Sequence, residues 1–263
     1  MTVARIDAAE RPAEAFEVRT VSNADLGAAL RQGWADFLEH RGDLLFIGFI
    51  YPLVGFAAAA VALQDSLIPL FFPIAAGIGL MGPAAAAGFY ELARRREAGL
   101  ESDWSHFLDV ARRPSFDAFL AVAGLLLLLF LAWLATAAGL YMALMGPAAP
   151  DSATGFLTRL FTTPEGWTLI VLGNLAGLAF SAAVLTVSVV AMPMLVDKDV
   201  DARTAIHTSR LAVAANKGAM LRWGVTVAAL LVIGSIPFFV GLAVVLPVLG
   251  YATWHLYTRL VVR

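Results

Sequence analysis

Residues 118–150 read AFLAVAGLLLLLFLAWLATAAGLYMALMGPAAP, with no charged side chain from end to end. About 20 apolar residues are enough for a helix to cross the hydrocarbon core of a bilayer. This stretch can therefore cross and still leave a loop. Lipid offers a backbone no hydrogen bonds, so a crossing segment satisfies its own polar groups as a helix or joins a closed barrel. The length of this uninterrupted run selects the helix.

Four more uncharged stretches flank it, at 44–63, 66–90, 166–196 and 223–258. The last is long for one crossing and short for two. It is divided at Gly234-Ser235-Ile236-Pro237, because Gly followed closely by Pro marks a turn and Pro disfavours helix in the residue before it. A single long kinked helix over 219–258 is the competing reading. The expected fold is all-α and polytopic, with six transmembrane helices arranged as three hairpins. The spans are 44–63, 66–90, 118–146, 167–196, 219–236 and 238–258, within a membrane domain of residues 23–263. Residues 1–22 are expected to form a flexible tail. Composition agrees: the chain is 60% hydrophobic and 14% charged, with mean hydropathy +0.80, against about 25% charge in soluble domains.

The charges orient the bundle. Of the 18 Lys and Arg residues, only Arg159 falls on one side of a six-span chain. The others sit in the tail, the two connections after spans two and four, and the C-terminus. The positive-inside rule places that basic side in the cytoplasm. A multi-pass protein of the bacterial inner membrane is expected, with both termini cytoplasmic. The first 42 residues lack the early apolar run of a cleaved signal peptide, so span one reads as an uncleaved anchor.

Each expected hairpin follows an amphipathic segment. In 23–40, Leu26, Leu30, Trp34, Phe37 and Leu38 recur at three- and four-residue spacing, and Asp25 suits the first turn. Trp104, Phe107, Leu108 and Ala111 repeat the face before span three. Asp201 can cap a helix carrying Ala205, Ile206 and Leu211 before span five. Asp25, Ala29, Gly42, Leu45 and Gly48 align without gaps on Asp201, Ala205, Gly218, Leu221 and Gly224. These helices are expected along the inner leaflet, or as a lid under the bundle. Arg31, Trp34, Phe37, Arg41, Arg94, Arg95 and Arg96 would form that interface, the arginines facing anionic headgroups.

Two segments carry a family resemblance. One is Met81-Gly82-Pro83 with Gly88-Phe89-Tyr90-Glu91-Leu92 and Arg94-Arg95-Arg96-Glu97. The other runs from Met192-Pro193-Met194-Leu195-Val196-Asp197-Lys198-Asp199-Val200 through Ala205, Thr208, Ser209, Asn216 and Trp223. Both resemble the uncharacterised bacterial integral-membrane family designated domain of unknown function 2189. The resemblance implies six spans and an inner membrane, and no established activity. Some members bear the label of cytochrome c oxidase subunit. A haem-copper core needs several intramembrane His ligands in facing pairs. Here His40, His106 and His207 fall in the connections, His255 near the inner end of span six, and no two share ligand spacing within a span. A catalytic oxidase subunit is excluded.

Other chemistry is equally sparse. With no cysteine, disulfides, thiolate metal sites and cysteine nucleophiles are ruled out. Asp197, Asp199 and Asp201 have calcium-loop spacing, but Ala202 and Thr208 stand where that loop needs Gly and Glu; helix capping is the better reading. No phosphate-loop, HExxH or GxSxG motif occurs. The expected spans hold no ionisable group near midplane, where proton- and ion-coupled carriers place them. The amide inside a span is Asn174, beside a ridge of Gly173, Gly177 and Ser181. Small residues in that spacing let helices pack closely; contact with a polar substrate is the other option. The residues thus predict a non-enzymatic protein without cofactor or metal, in an accessory, scaffolding or envelope-homeostasis role. Its partners would be membrane lipids and a larger membrane complex, not nucleic acid. The alternatives are a carrier or channel for a neutral or amphiphilic small molecule, and an auxiliary subunit of a respiratory or photosynthetic complex.

Overall fold

The computed structural model describes residues 16–39, 65–148, 150, 152–237 and 239–263. Expected span one, with His40 and Arg41, lies outside the described residues. The described chain is helical almost throughout, apart from one isolated antiparallel bridge between Val18 and Val261. Among the described residues four helical stretches are long and apolar enough to cross a membrane: Ile68–Glu97, Phe116–Met145, Pro164–Asp197 and Lys217–Ser235. The protein is an all-α, multi-span membrane protein.

The elements follow from local chemistry. Helix α1 (Asn23–Glu39) starts where Ser22 and Asp25 exchange hydrogen bonds. The second apolar stretch is broken by its prolines. A 3-10 turn at Asp65–Leu70 contains Pro69, and α2 (Phe71–Ile78) and α3 (Gly82–Ala85) follow, with Pro83 at the start of α3. Trp133 Nε1 donates to the Pro73 carbonyl at 2.8 Å and satisfies one group in this irregular region. Helix α4 (Ala87–Glu97) runs past Tyr90 and carries Arg94, Arg95 and Arg96 in its last turn. Helix α5 (Phe116–Met145) ends at Gly146, whose φ of 90° suits a residue without Cβ. After α6 (Ala153–Thr162), α7 (Pro164–Ser188) opens on a Thr163 cap. It stops at Val189 because Pro193 would clash with the carbonyl four residues back, and α8 (Ala191–Asp197) resumes the path. Helices α9 (Ala202–Ala215) and α10 (Lys217–Ser235) lead to turns at 236–237 and 239–241, then α11 (Leu242–Leu260). There Gly234 and Gly241 touch backbone to backbone; a Cβ on Gly241 would lie 2.7 Å from the Gly234 carbonyl oxygen.

Three inner segments meet at the centre: α4, α8 and the C-terminal half of α11 pack on one another. Phe89, Tyr90, Leu92, Met192, Met194, Leu195, Trp254 and Tyr257 are all fully buried there. The segments between them dock in a cyclic order. Helix α1 lies on α11, where Gly33 meets the backbone of Val248 and Ala252. The 104–112 segment lies on α4, with the Phe107 ring over Gly88 and 5.0 Å from that of Phe89. Helix α9 lies on α7 and α8. There the Ser209 hydroxyl donates to Thr186 O at 2.8 Å and accepts from Val190 N, stitching the proline-induced break. Each segment therefore packs on the last helix of the preceding pair of apolar stretches.

Several expectations are corrected. Leu26, Ala29, Gly33, Asp36 and Phe37 form the buried face of α1. Trp34 and Leu38 turn outward, 48% and 41% exposed. Close docking selects small residues for the contact and leaves the bulky ones at its edge. The 104–112 segment is two 3-10 turns, not an α-helix; Phe107 packs inward while Trp104 and Leu108 are exposed. A free tail does not extend to residue 22. From Phe16 the chain is strapped across the bundle: Val262 N donates to Glu17 O, Arg19 N to Leu260 O and Val21 N to the Asn216 side chain.

Asp201 gives a measurable consequence. Its side chain accepts from Thr204 N at 2.7 Å and caps α9. The backbone and side-chain hydrogen bonds of Thr204 hold its carboxyl below the usual range. Asp201→Ala is expected to cost about 1 kcal/mol. Because the folded pKa is depressed, the cap contributes fully above about pH 4 and is lost as pH falls through the folded value. Thermal melts of wild type and variant in detergent should converge below that range.

Candidate functional site

The chemistry-bearing side chains gather at one end of the bundle, where α1, α4, α8 and α11 meet. Glu91 is 1% exposed at the end of an apolar run. One helical turn on, Arg94 neutralises it with two hydrogen bonds, Nε at 3.0 Å and Nη2 at 2.6 Å. Such a fork satisfies a carboxylate removed from water. Arg96 projects towards α1. Its Nη1 lies 2.6 Å from Asp36 Oδ1, and Nη2 bonds Glu39. Asp36 is 7% exposed, and its second oxygen is 2.8 Å from His255 Nε2 on α11. One buried carboxylate thus joins three helices. Arg95 turns to the connection, bonding Glu101 O and lying 3.4 Å from Asp109. The Asp109 carboxyl is held below the usual range by the His106 hydrogen bond, then by Arg112 and Arg95.

Beyond these pairs lies a polar cleft of about 250 Å³, lined by Arg94, Glu97, Ala98, Asp197 and Arg263. Glu97 receives a hydrogen bond from Trp254 Nε1 at 3.1 Å and pairs with Arg263, whose guanidinium also stands over the Trp254 ring. Tyr257 donates to Asp197 at 2.8 Å. Arg113 Nη2 donates to the Asp197 carbonyl, while its buried Nε has no hydrogen-bond partner among the described residues. Burial, with Arg94 nearby, lowers the pKa of Arg113. Two acids and two guanidinium groups line the cleft, a balance that locks helix ends together. Among the described residues no group of three or more His, Cys, Asp or Glu could hold a metal ion.

The residues picked out in the sequence are distributed differently. Arg94, Arg95 and Arg96 each meet a carboxylate of the protein, while Arg31 is exposed. Gly173, Asn174, Gly177 and Ser181 line a second hollow, of about 280 Å³, with Phe72, Ala76, Leu80, Trp133 and Leu178. The two glycines are not equivalent. A Cβ on Gly177 would lie 3.3 Å from the Trp133 ring, whereas one on Gly173 meets nothing within 4 Å. Asn174 donates to Ile170 O of its own helix at 2.8 Å rather than across a contact. Gly177→Leu should therefore lower the detergent melting temperature by several degrees through overpacking. Gly173→Leu should change it by less than half as much, and equal effects would refute this asymmetry.

Sequence reasoning assigned no partner to Asp36, Glu97, Asp197, Trp254, Tyr257 or Arg263. In so charge-poor a chain, acids at the ends of apolar runs were the available signal. Their hydrogen-bond partners lie 60 to 219 positions away, which no local spacing rule can pair.

No curated protein and no solved structure matches the chain. Residues 71–197 match the family model described as predicted integral membrane protein, domain of unknown function 2189. The match runs from α2 through the proline-bearing α8, and so contains the Glu91–Arg94 fork and ends on Asp197. Two of the three inner segments lie inside that match, so the middle of the chain is similar to this family of predicted integral membrane proteins.

Proposed function

We propose that the protein is a six-span, non-enzymatic scaffold of the bacterial inner membrane, with its charged end and both termini in the cytoplasm. The alternation of ends supports six spans. Glu39 is tied to Arg96 at the charged end, whereas residues 65–70 pack against α6 at the other. At the other terminus α11 brings Arg259 to Gln32 of α1. The observation that carries the scaffold reading is the closed centre. Tyr90, Met192, Leu195 and Trp254 are buried where α4, α8 and α11 meet, and ion pairs fasten the helix ends around them. Such an interior favours a rigid platform over conduction.

The test is purification of the tagged protein from native membranes in mild detergent, with partners identified by mass spectrometry. A reproducible partner at constant stoichiometry is expected; a protein that always elutes alone would refute the scaffold. Orientation has its own test, since the chain lacks cysteine. Ala98→Cys should resist an impermeant thiol reagent in intact cells and react after permeabilisation. A second reading, a carrier for a neutral amphiphile, draws on the hollow at Asn174 and Ser181 part-way along α7. It predicts flux of such a molecule in proteoliposomes.

A further inference from the structure

The charged end is not uniform. Arg94, Arg95, Arg96, Arg112 and Arg263 are all ion-paired within the protein. The corner between α9 and α10 differs. There His207, Arg210, Ala214 and Lys217 are exposed at three- and four-residue spacing. Among the described residues Arg210 and Lys217 have no ion-pair or hydrogen-bond partner. Arg222, also exposed, reaches the neutral Asn23.

Immediately past this basic corner the exposed surface turns apolar. Leu221, Val225, Val232 and Ile233 of α10 face outward, and Leu211 flanks Arg210 on α9. Helix α10 is one of the membrane-crossing stretches, so its outward apolar side faces lipid. Unpaired cations therefore stand where the lipid-facing belt ends, at the depth of headgroups. The corner is also held in shape. Asn216, nearly buried, donates to Ala212 O and Arg19 O, both at 3.0 Å, and accepts from Val21 N at 2.8 Å. Preorganised cations lose less freedom on binding than ones on a mobile segment.

From this geometry we propose that Arg210 and Lys217, flanked by His207 and Arg222, form a binding site for the headgroup of an anionic phospholipid. Its acyl chains lie along Leu221 and Val225. This deepens the membrane reading above by naming a lipid class. It does not require a protein partner or a given orientation, so its test is independent of theirs. Interfacial helices with a basic polar face bind anionic leaflets in this way.

The test uses the full-length protein in detergent with equal amounts of phosphatidylglycerol and phosphatidylethanolamine, retained lipid being counted by native mass spectrometry. Wild type should retain phosphatidylglycerol preferentially. Each of Arg210→Gln and Lys217→Gln should weaken that retention about fivefold, the value of one basic residue at an anionic surface. Both sites are exposed, so the fold and its melting temperature should be unchanged. The double variant Arg31→Gln with Arg112→Gln removes the same charge elsewhere and should retain the lipid within about twofold of wild type. An equal loss in this control and in the double variant Arg210→Gln with Lys217→Gln would mean that net charge alone acts, and would overturn the site. Displacement of the lipid by millimolar inorganic phosphate would overturn it too, by showing that any anion suffices.

Discussion

Gly33→Ala should undock α1 from the bundle and lower stability by about 3 kcal/mol, the upper end of overpacking costs. A Cβ at this position would lie 2.6 Å from Ala252 N and 2.7 Å from Val248 O. Both obstacles are backbone, so no rotamer change relieves them. The helix must rise from α11, and Ala29 and Asp36 rise with it. Gly27, two turns earlier on the same helix, provides the internal control. A Cβ there would meet only the Arg31 guanidinium, at 3.4 Å. Gly27→Ala should therefore stabilise by up to about 1 kcal/mol through helix propensity alone. Opposite shifts in detergent melting temperature would establish the contact; parallel shifts would refute it.

Replacing Asp36 by Asn should cost about 2 kcal/mol. Breaking a fully buried ion pair costs about 3–5 kcal/mol, and the partial exposure of Arg96 and His255 reduces that. Asn keeps the shape but not the charge that both partners address. Arg96→Gln should cost less, because Asp36 retains His255. The double variant should be no worse than the sum of the two less about 1 kcal/mol, the coupling expected of groups in one network. Strict additivity would show that Asp36 and Arg96 stabilise the fold independently. Limited proteolysis supplies a second readout, since loosened docking of α1 should expose the 16–22 strap.

These two variants mark where reading the chain locally reaches its limit. Bulky residues in 23–40 predicted a face containing Trp34 and Leu38, and hydrophobic periodicity weights such residues most. The contact was made instead by Ala29 and Gly33 with a buried acid. How close two helices approach depends on what both present, and Val248 and Ala252 lie more than 200 positions away in sequence. The ridge at Gly173 and Gly177 repeats the point: identical residues one turn apart meet open space and a tryptophan ring. Position 173 differs from 177 through the placement of Trp133, which helical spacing cannot report.

The sequence by itself determined that this protein crosses a membrane as helices, and where its main apolar stretches lie. An apolar run in lipid must satisfy its own backbone, so length and composition are nearly sufficient. It also set the expectation that the basic residues share one end, because on the six-span reading all but Arg159 fall in alternate connections. Only the tertiary structure decided which arginines are neutralised by acids of the protein and which, like Arg210, meet none among the described residues. Charge is local to a residue, but pairing depends on distances that folding sets. Asp36, Arg96 and His255 become a site only when folding brings side-chain atoms from α1, α4 and α11 within 3 Å of one another.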